Sequence, residues 1–215
     1  MDKTVKYLGG IGYILLLVGP LLSIGSSAVG GLSLIGVILA AIAWIFMGKS
    51  LNDKVMLANG IMMIVGPILT AIAMFGILIP YLLPATNQPP VAPKNPAIVI
   101  QALMSAIAVI LIVGIVCWVL QVLAHLRAGN TLGISTFKYS AYCQIFSFVL
   151  IILALIWMFG NIAAIVPLLQ TQATRPNPEQ IFKIFGPTFG LIAFGGLLGI
   201  VSNILSAIAF LSIEE

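Results

Sequence analysis

Ile98-Val-Ile-Gln-Ala-Leu-Met-Ser-Ala-Ile-Ala-Val-Ile-Leu-Ile-Val-Gly-Ile-Val-Cys-Trp-Val-Leu-Gln-Val-Leu123 contains no charged side chain. As an α-helix rising 1.5 Å per residue it would reach about 39 Å, more than the roughly 30 Å hydrocarbon layer of a bilayer. Strand-like alternation is absent, so the stretch does not read as part of a β-barrel. In lipid an unpaired backbone N–H or C=O is costly, and a helix satisfies all of them within one segment. This stretch therefore reads as a membrane-spanning helix.

Five further apolar runs flank it, at about 7–24, 28–47, 55–83, 141–169 and 185–213. The fold class that follows is all-α, a polytopic transmembrane bundle of about six spans forming a single integral membrane domain over residues 1–215. Composition points the same way. Of the 215 residues 61% are hydrophobic and 7% charged, with a mean hydropathy of +1.23. Soluble chains carry roughly 45–50% apolar and about 25% charged residues, enough to cover a wet surface. This chain has too few polar side chains for that, and the lipid bilayer is its first partner.

The first run follows a basic arm and precedes Ser26-Ser-Ala28, a pattern that a cleaved signal peptide also shows. A second apolar run begins at once, which favours a span. The third run holds Pro67 and Pro80 and would measure about 44 Å if wholly helical, so it must tilt, kink or protrude. Two Pro-rich segments, Leu82–Pro90 and Leu168–Pro178, each follow a long span and hint at a repeated two-span hairpin.

Loop charge sets an expected orientation. Lys3, Lys6, Lys49, Lys54, Arg127 and Lys138 fall on one side; Lys94, Arg175 and Lys183 fall on the other. The positive-inside rule puts both termini in the cytoplasm of a plasma membrane. The basic residues come in ones and twos rather than in a patch, so nucleic acid is not an expected partner.

The spans are informative through what they lack. All five acidic residues, Asp2, Asp53, Glu179, Glu214 and Glu215, lie in termini or loops. Proton-coupled carriers usually hold a carboxylate at membrane depth, so proton pumping is not expected. No metal or cofactor is expected either. One histidine cannot supply two axial ligands, and Cys117 and His125 are about 12 Å apart along a helix. His125 and Arg127 read as interfacial residues at a helix end. No nucleophile elbow, zinc-protease run or phosphate loop is present, and Gly9-Gly-Ile-Gly12 reads as a close helix contact. No catalytic residue is assigned, and the protein reads as a non-enzyme.

What remains is uncharged. Asn59, Gln101, Gln121, Gln144, Asn161 and Asn203 form a candidate polar interior, with Gln121 and Gln144 expected at one depth across a hairpin. Gly186, Gly190, Gly195, Gly199, Ser202 and Ser206 form a candidate packing face, because small side chains let helix backbones approach in lipid. The pairs Gly19-Pro20, Gly66-Pro67 and Gly186-Pro187 resemble helix breaks in transporters, and also occur in ordinary spans.

Tyr7-Leu-Gly-Gly-Ile-Gly-Tyr-Ile-Leu-Leu-Leu-Val-Gly-Pro20, Leu34-Ile-Gly-Val-Ile-Leu-Ala-Ala-Ile-Ala43 and Ala58-Asn-Gly-Ile61 resemble a family of uncharacterised archaeal multi-pass membrane proteins, over about the first 80 residues. The resemblance implies an archaeal plasma membrane and supplies no activity. Three functions are then ranked. First comes an accessory or scaffolding subunit that meets other membrane chains or itself. A carrier or channel for a small neutral or apolar solute follows, and then a lipid-modifying enzyme. A cavity lined by the central amides favours the second; a closed bundle with an exposed Gly195–Ser206 face favours the first.

Overall fold

The computed structural model describes residues 3–23, 30–78, 96–161 and 178–214. Near several helix ends, Gln101 included, only the backbone is described. The helices are α1 (Lys3–Ser23), α2 (Gly30–Ser50), α3 (Lys54–Ala73), α4 (Pro96–Thr131), α5 (Ser135–Gly160) and α6 (Pro178–Leu211). A π-helical turn, Met74–Leu78, prolongs α3. The Pro-rich segments, apart from Pro178, lie outside the described residues.

Each helix packs on its sequence neighbour, and α6 closes the ring by packing on α1. Successive helices alternate in direction. The starts of α1, α3 and α5 therefore gather with the ends of α2, α4 and α6 at one end of the bundle, the basic end. Five segments are long and apolar enough to cross a membrane: Gly31–Ser50, Lys54–Gly76, Met104–Thr131, Ser135–Met158 and Phe185–Leu211. Helix α1, 21 residues opening on Lys3 and Lys6, completes the ring beside them.

Two boundaries differ from the sequence reading. The fourth helix runs on past Leu123 to Thr131, and the fifth begins at Ser135 rather than near Ala141. Only residues 132–134 connect them, with Gly133 in the left-handed region at φ 70°. Hydropathy stops at His125 and Arg127; the backbone does not, because their N–H groups still need helical partners where the chain leaves lipid. His125, expected at the interface, is correspondingly fully buried. Arg127 does sit at the surface, 56% exposed.

Burial among the described residues concentrates at the basic end. There Val5, Tyr13, Trp44, Met47, Met56, Phe137, Phe210 and Ile213 form one apolar core. Close backbone contact holds α1, α2 and α3 together. A Cβ placed on Gly12 would lie 2.5 Å from the Ala40 nitrogen, and one on Gly60 would lie 2.7 Å from the Ala41 oxygen. Lipid tails are as apolar as leucine, so contact at this range supplies dispersion that looser packing cannot.

Asp53 fastens the same end. Asn52 turns the chain at φ 51°, and Asp53 then caps α3, its Oδ1 accepting from Val55 N–H at 2.8 Å and Met56 N–H at 3.1 Å. Its Oδ2 lies 3.1 Å from Arg127 Nη1. Burial pushes the Asp53 carboxyl up, but the Met56 N–H, the Arg127 side chain and the Val55 N–H together outweigh it and hold it below its ordinary value. A depressed carboxylate contributes stability above its unfolded-state value and loses it as pH falls through the folded-state value. Asp53→Ala should cost about 1 kcal/mol at neutral pH, mostly through the lost cap, because an ion pair to a half-exposed arginine adds little. Thermal melts across pH should show the gap from wild type shrinking below about pH 4; a gap independent of pH would refute the assignment.

A polar cleft above a buried aromatic cluster

The core holds a histidine inside a cage. Trp44 approaches the His125 ring with centroids 4.9 Å apart, Phe137 at 5.9 Å and Tyr13 at 6.1 Å. Phe210 completes the cluster against Tyr13, Trp44 and Phe137, at 5.8, 5.3 and 5.2 Å. The Trp44 indole N–H donates to the Tyr13 hydroxyl at 3.0 Å. Four helices contribute one ring each, α5 adds Phe137, and none of the five is exposed.

His125 is also the end of a chain of hydroxyls. Its Nδ1 lies 2.7 Å from the Gln121 carbonyl oxygen, one turn back on α4. Its Nε2 lies 2.9 Å from Ser206 Oγ. Ser206 meets Ser140 Oγ at 2.8 Å, and Ser140 meets Ser202 Oγ at 2.8 Å. Burial of these three hydroxyls is complete or nearly so, and hydrogen bonding satisfies them, as groups away from water require.

One turn farther from the basic end, the same stripes of α4, α5 and α6 bound an open cleft of about 210 Å³. Gln121, Gln144, Ser147, Ser202 and Asn203 line it with amides and hydroxyls; Trp118, Phe148 and Ile151 supply apolar wall. Trp118 stacks on Phe148 with centroids 4.1 Å apart. Ser147 donates to the Gly195 carbonyl oxygen at 2.8 Å, which ties α5 to α6 beside the cleft. The amide of Gln144 is half satisfied. Its Nε2 reaches Ser140 Oγ at 3.5 Å, while Oε1 is buried with no hydrogen-bond partner among the described residues.

The residues singled out in the sequence are thus sorted. Gln121 and Gln144 share the cleft with Asn203. Asn59 is buried on α3, its Nδ2 unpartnered, on the face that carries Met56. Asn161, just past the end of α5, donates to the carbonyl oxygen of Trp157 in its own helix and does not join the cleft. The Gln101 side chain lies outside the described residues.

On α6, Gly195, Ser202 and Ser206 are buried against α5. Around Gly190 and Gly199 a Cβ would meet nothing within 4 Å, and at Gly186 only Phe182 of the same helix. Sequence reasoning missed Tyr13, Trp44, Ser140, Trp118 and Phe148. The Gln121/His125 and Ser202/Ser206 spacings of four residues, each placing two polar groups on one helix face, were the available signal. No protein-family model, curated protein or solved structure matches the chain.

Proposed function

We propose that the protein is a membrane carrier for a small uncharged solute that has an apolar body and donates a hydrogen bond. One observation carries the reading: the buried, unpartnered Oε1 of Gln144 in a cleft walled by Trp118 and Phe148. A buried acceptor left unsatisfied costs about 1–3 kcal/mol, which a donor on the solute would recover. Among the described residues none that lines the cleft is charged, so an ion held there would be stripped of water without compensation. The cleft is lined by segments long and apolar enough to cross a membrane, and the basic residues gathered at one end of the bundle support a cytoplasmic position for both termini.

Benzyl alcohol, toluene and benzoate test the chemistry, sharing a ring and differing in a hydroxyl donor, no donor and a charge. Benzyl alcohol should raise the melting temperature of the purified protein more than toluene, and benzoate should not. Gln144→Leu should erase the difference between the first two, weakening benzyl alcohol about tenfold, the worth of one hydrogen bond. Vesicles containing the protein should also swell faster than empty ones on a gradient of butane-1,4-diol, which carries hydroxyl donors on a four-carbon body. Equal responses to all three probes together with no added permeability would end the carrier reading.

The subunit reading keeps one observation of its own. Outside the ring, Tyr139, Tyr142, Phe146, Phe194 and Leu198 border a wholly apolar groove of about 410 Å³ between α5 and α6. Against it stands the Gly195–Ser206 stripe, in which Gly195, Ser202 and Ser206 are occupied by α5 rather than free for another chain. Lipid chemistry ranks below both. Ser206 and His125 have the spacing of a nucleophile and its base, but neither is exposed to a substrate.

A further inference from the structure

We propose that His125 is a proton-binding site connected to the cleft by Ser202, Ser140 and Ser206. The direction of each hydrogen bond follows by elimination. The Gln121 carbonyl only accepts, so Nδ1 carries the imidazole proton and, in the neutral ring, Nε2 is bare. Nε2 must accept, and Ser206 Oγ at 2.9 Å is its donor. Ser206 has then spent its one hydrogen and accepts from Ser140 at 2.8 Å. Ser140 in turn accepts from Ser202 at 2.8 Å, and Ser202 borders the cleft. The hydroxyls form one file from cleft to ring, all pointing the same way.

A hydronium ion at the mouth of the cleft hands its proton to Ser202 Oγ and leaves as water, so no ion stays in the cleft. Ser202 passes its own proton to Ser140, Ser140 to Ser206, and Ser206 to Nε2. One O–H bond breaks and one forms at each serine, an N–H forms at the ring, and the single positive charge ends on the imidazolium. The reversed file is also satisfied. Nε2–H donates to Ser206 Oγ, Ser206 donates to Ser140 Oγ and Ser140 to Ser202 Oγ, each at 2.8 Å. Ser202 then donates to the Ser140 carbonyl oxygen at 3.2 Å. A purely structural histidine needs partners in one state; this one has them in both.

Burial away from water opposes a charge on His125. The Trp44 ring, tilted at 4.9 Å, lies within the range at which an aromatic group can offset part of that cost, and Phe137 and Tyr13 stand edge-wise at 5.9 and 6.1 Å. Of the groups facing the ring, Tyr13 on α1 is titratable. Trp44 on α2, Phe137 and Ser140 on α5, and Ser206 on α6 are not, and α3 brings Met56 to the cluster. Of the charged residues close to His125 in sequence on α4 and to Phe137 on α5, Arg127 pairs with Asp53, and the Lys138 stem lies against Gly129. The absence of a buried carboxylate therefore does not leave the membrane interior without a proton acceptor.

His125 is the only histidine, so histidine-selective ¹⁵N labelling of the full chain, prepared without a polyhistidine tag in lipid nanodiscs, reports on this ring alone. At about pH 8 the spectrum should show Nδ1 protonated and Nε2 bare; by about pH 4 the Nε2 resonance should move to the protonated position. In wild type the two states should average to one travelling line. Ser202→Ala should split it into two slowly exchanging lines, and Ser202→Thr, which keeps the hydroxyl, should restore it. An Nε2 that stays bare throughout in folded protein, or an Nε2–H tautomer at high pH, overturns the proposal. So does Ser202→Ala titrating in the wild-type exchange regime. No solute enters the measurement, so its outcome is independent of the carrier reading.

Discussion

Gly12→Leu should leave almost no folded protein to purify. A Cβ at Gly12 would sit 2.5 Å from the Ala40 nitrogen and 3.0 Å from the Gly36 oxygen. The facing Gly36 is as tight, its Cβ position lying 2.8 Å from the Leu16 nitrogen. These obstacles are backbone, so no rotamer change relieves them, and α1 must move off α2. Overpacking a core commonly costs about 1–3 kcal/mol where side chains can adjust. Here the contact between two helices is lost as well, and the cost should exceed about 4 kcal/mol. That approaches the whole stability of an ordinary domain, about 5–15 kcal/mol.

Gly190→Leu is the matched control, since a Cβ there meets nothing within 4 Å. Gly195 falls between: its Cβ position is 3.3 Å from the Ser147 oxygen, so alanine should be accepted and isoleucine should push α5 away. Size-exclusion profiles and melting curves in detergent rank the three. A monodisperse Gly12→Leu protein melting with wild type would show that α1 and α2 do not pack this closely.

That ranking also marks how much the sequence could show. Long uncharged stretches such as 98–123 announce helices in lipid, because segment length and backbone satisfaction require nothing else. The reading of Gly9-Gly-Ile-Gly12 as a helix contact rests on the same logic, and Gly9 and Gly12 do meet Phe210 and Ala40. Rotational setting is harder to read. α4 is apolar over most of its length, and only the short stripe of Gln121 and His125 tells which side turns inward. His125 was placed by its distance from the last apolar residue, when its angle on the helix, in line with Gln121, was what mattered. The packing face read on α6 meets α5 at Gly195, Ser202 and Ser206, and a Cβ would meet nothing within 4 Å at Gly190 and Gly199. One of its glycines packs on α5, but the hydroxyls of Ser202 and Ser206 make the stronger link, because they find Ser140, a partner more than 60 residues away in sequence.

Trp44→Ala should both weaken the bundle and open it. Trp44 has no exposed surface, touches His125, Phe137 and Phe210, and gives its N–H to Tyr13. Truncating a buried tryptophan costs about 3–5 kcal/mol through lost contacts and the cavity left behind. Trp44→Phe keeps most of the filling and loses the hydrogen bond, about 1 kcal/mol. Position gives the second effect. On each of α4, α5 and α6 the residues of the aromatic cluster, His125, Phe137 and Phe210, come nearer the basic end than the cleft residues Gln121, Gln144 and Ser202. The cluster thus separates the cleft from that end. If it is a barrier, Trp44→Ala vesicles should swell on a glycerol gradient faster than wild-type vesicles despite the lower stability, and Trp44→Phe vesicles should not. If it is only a core, stability falls and permeability stays level or drops with the folded fraction. The two variants together separate these cases, since both lose the hydrogen bond to Tyr13 and only one loses the ring that fills the centre.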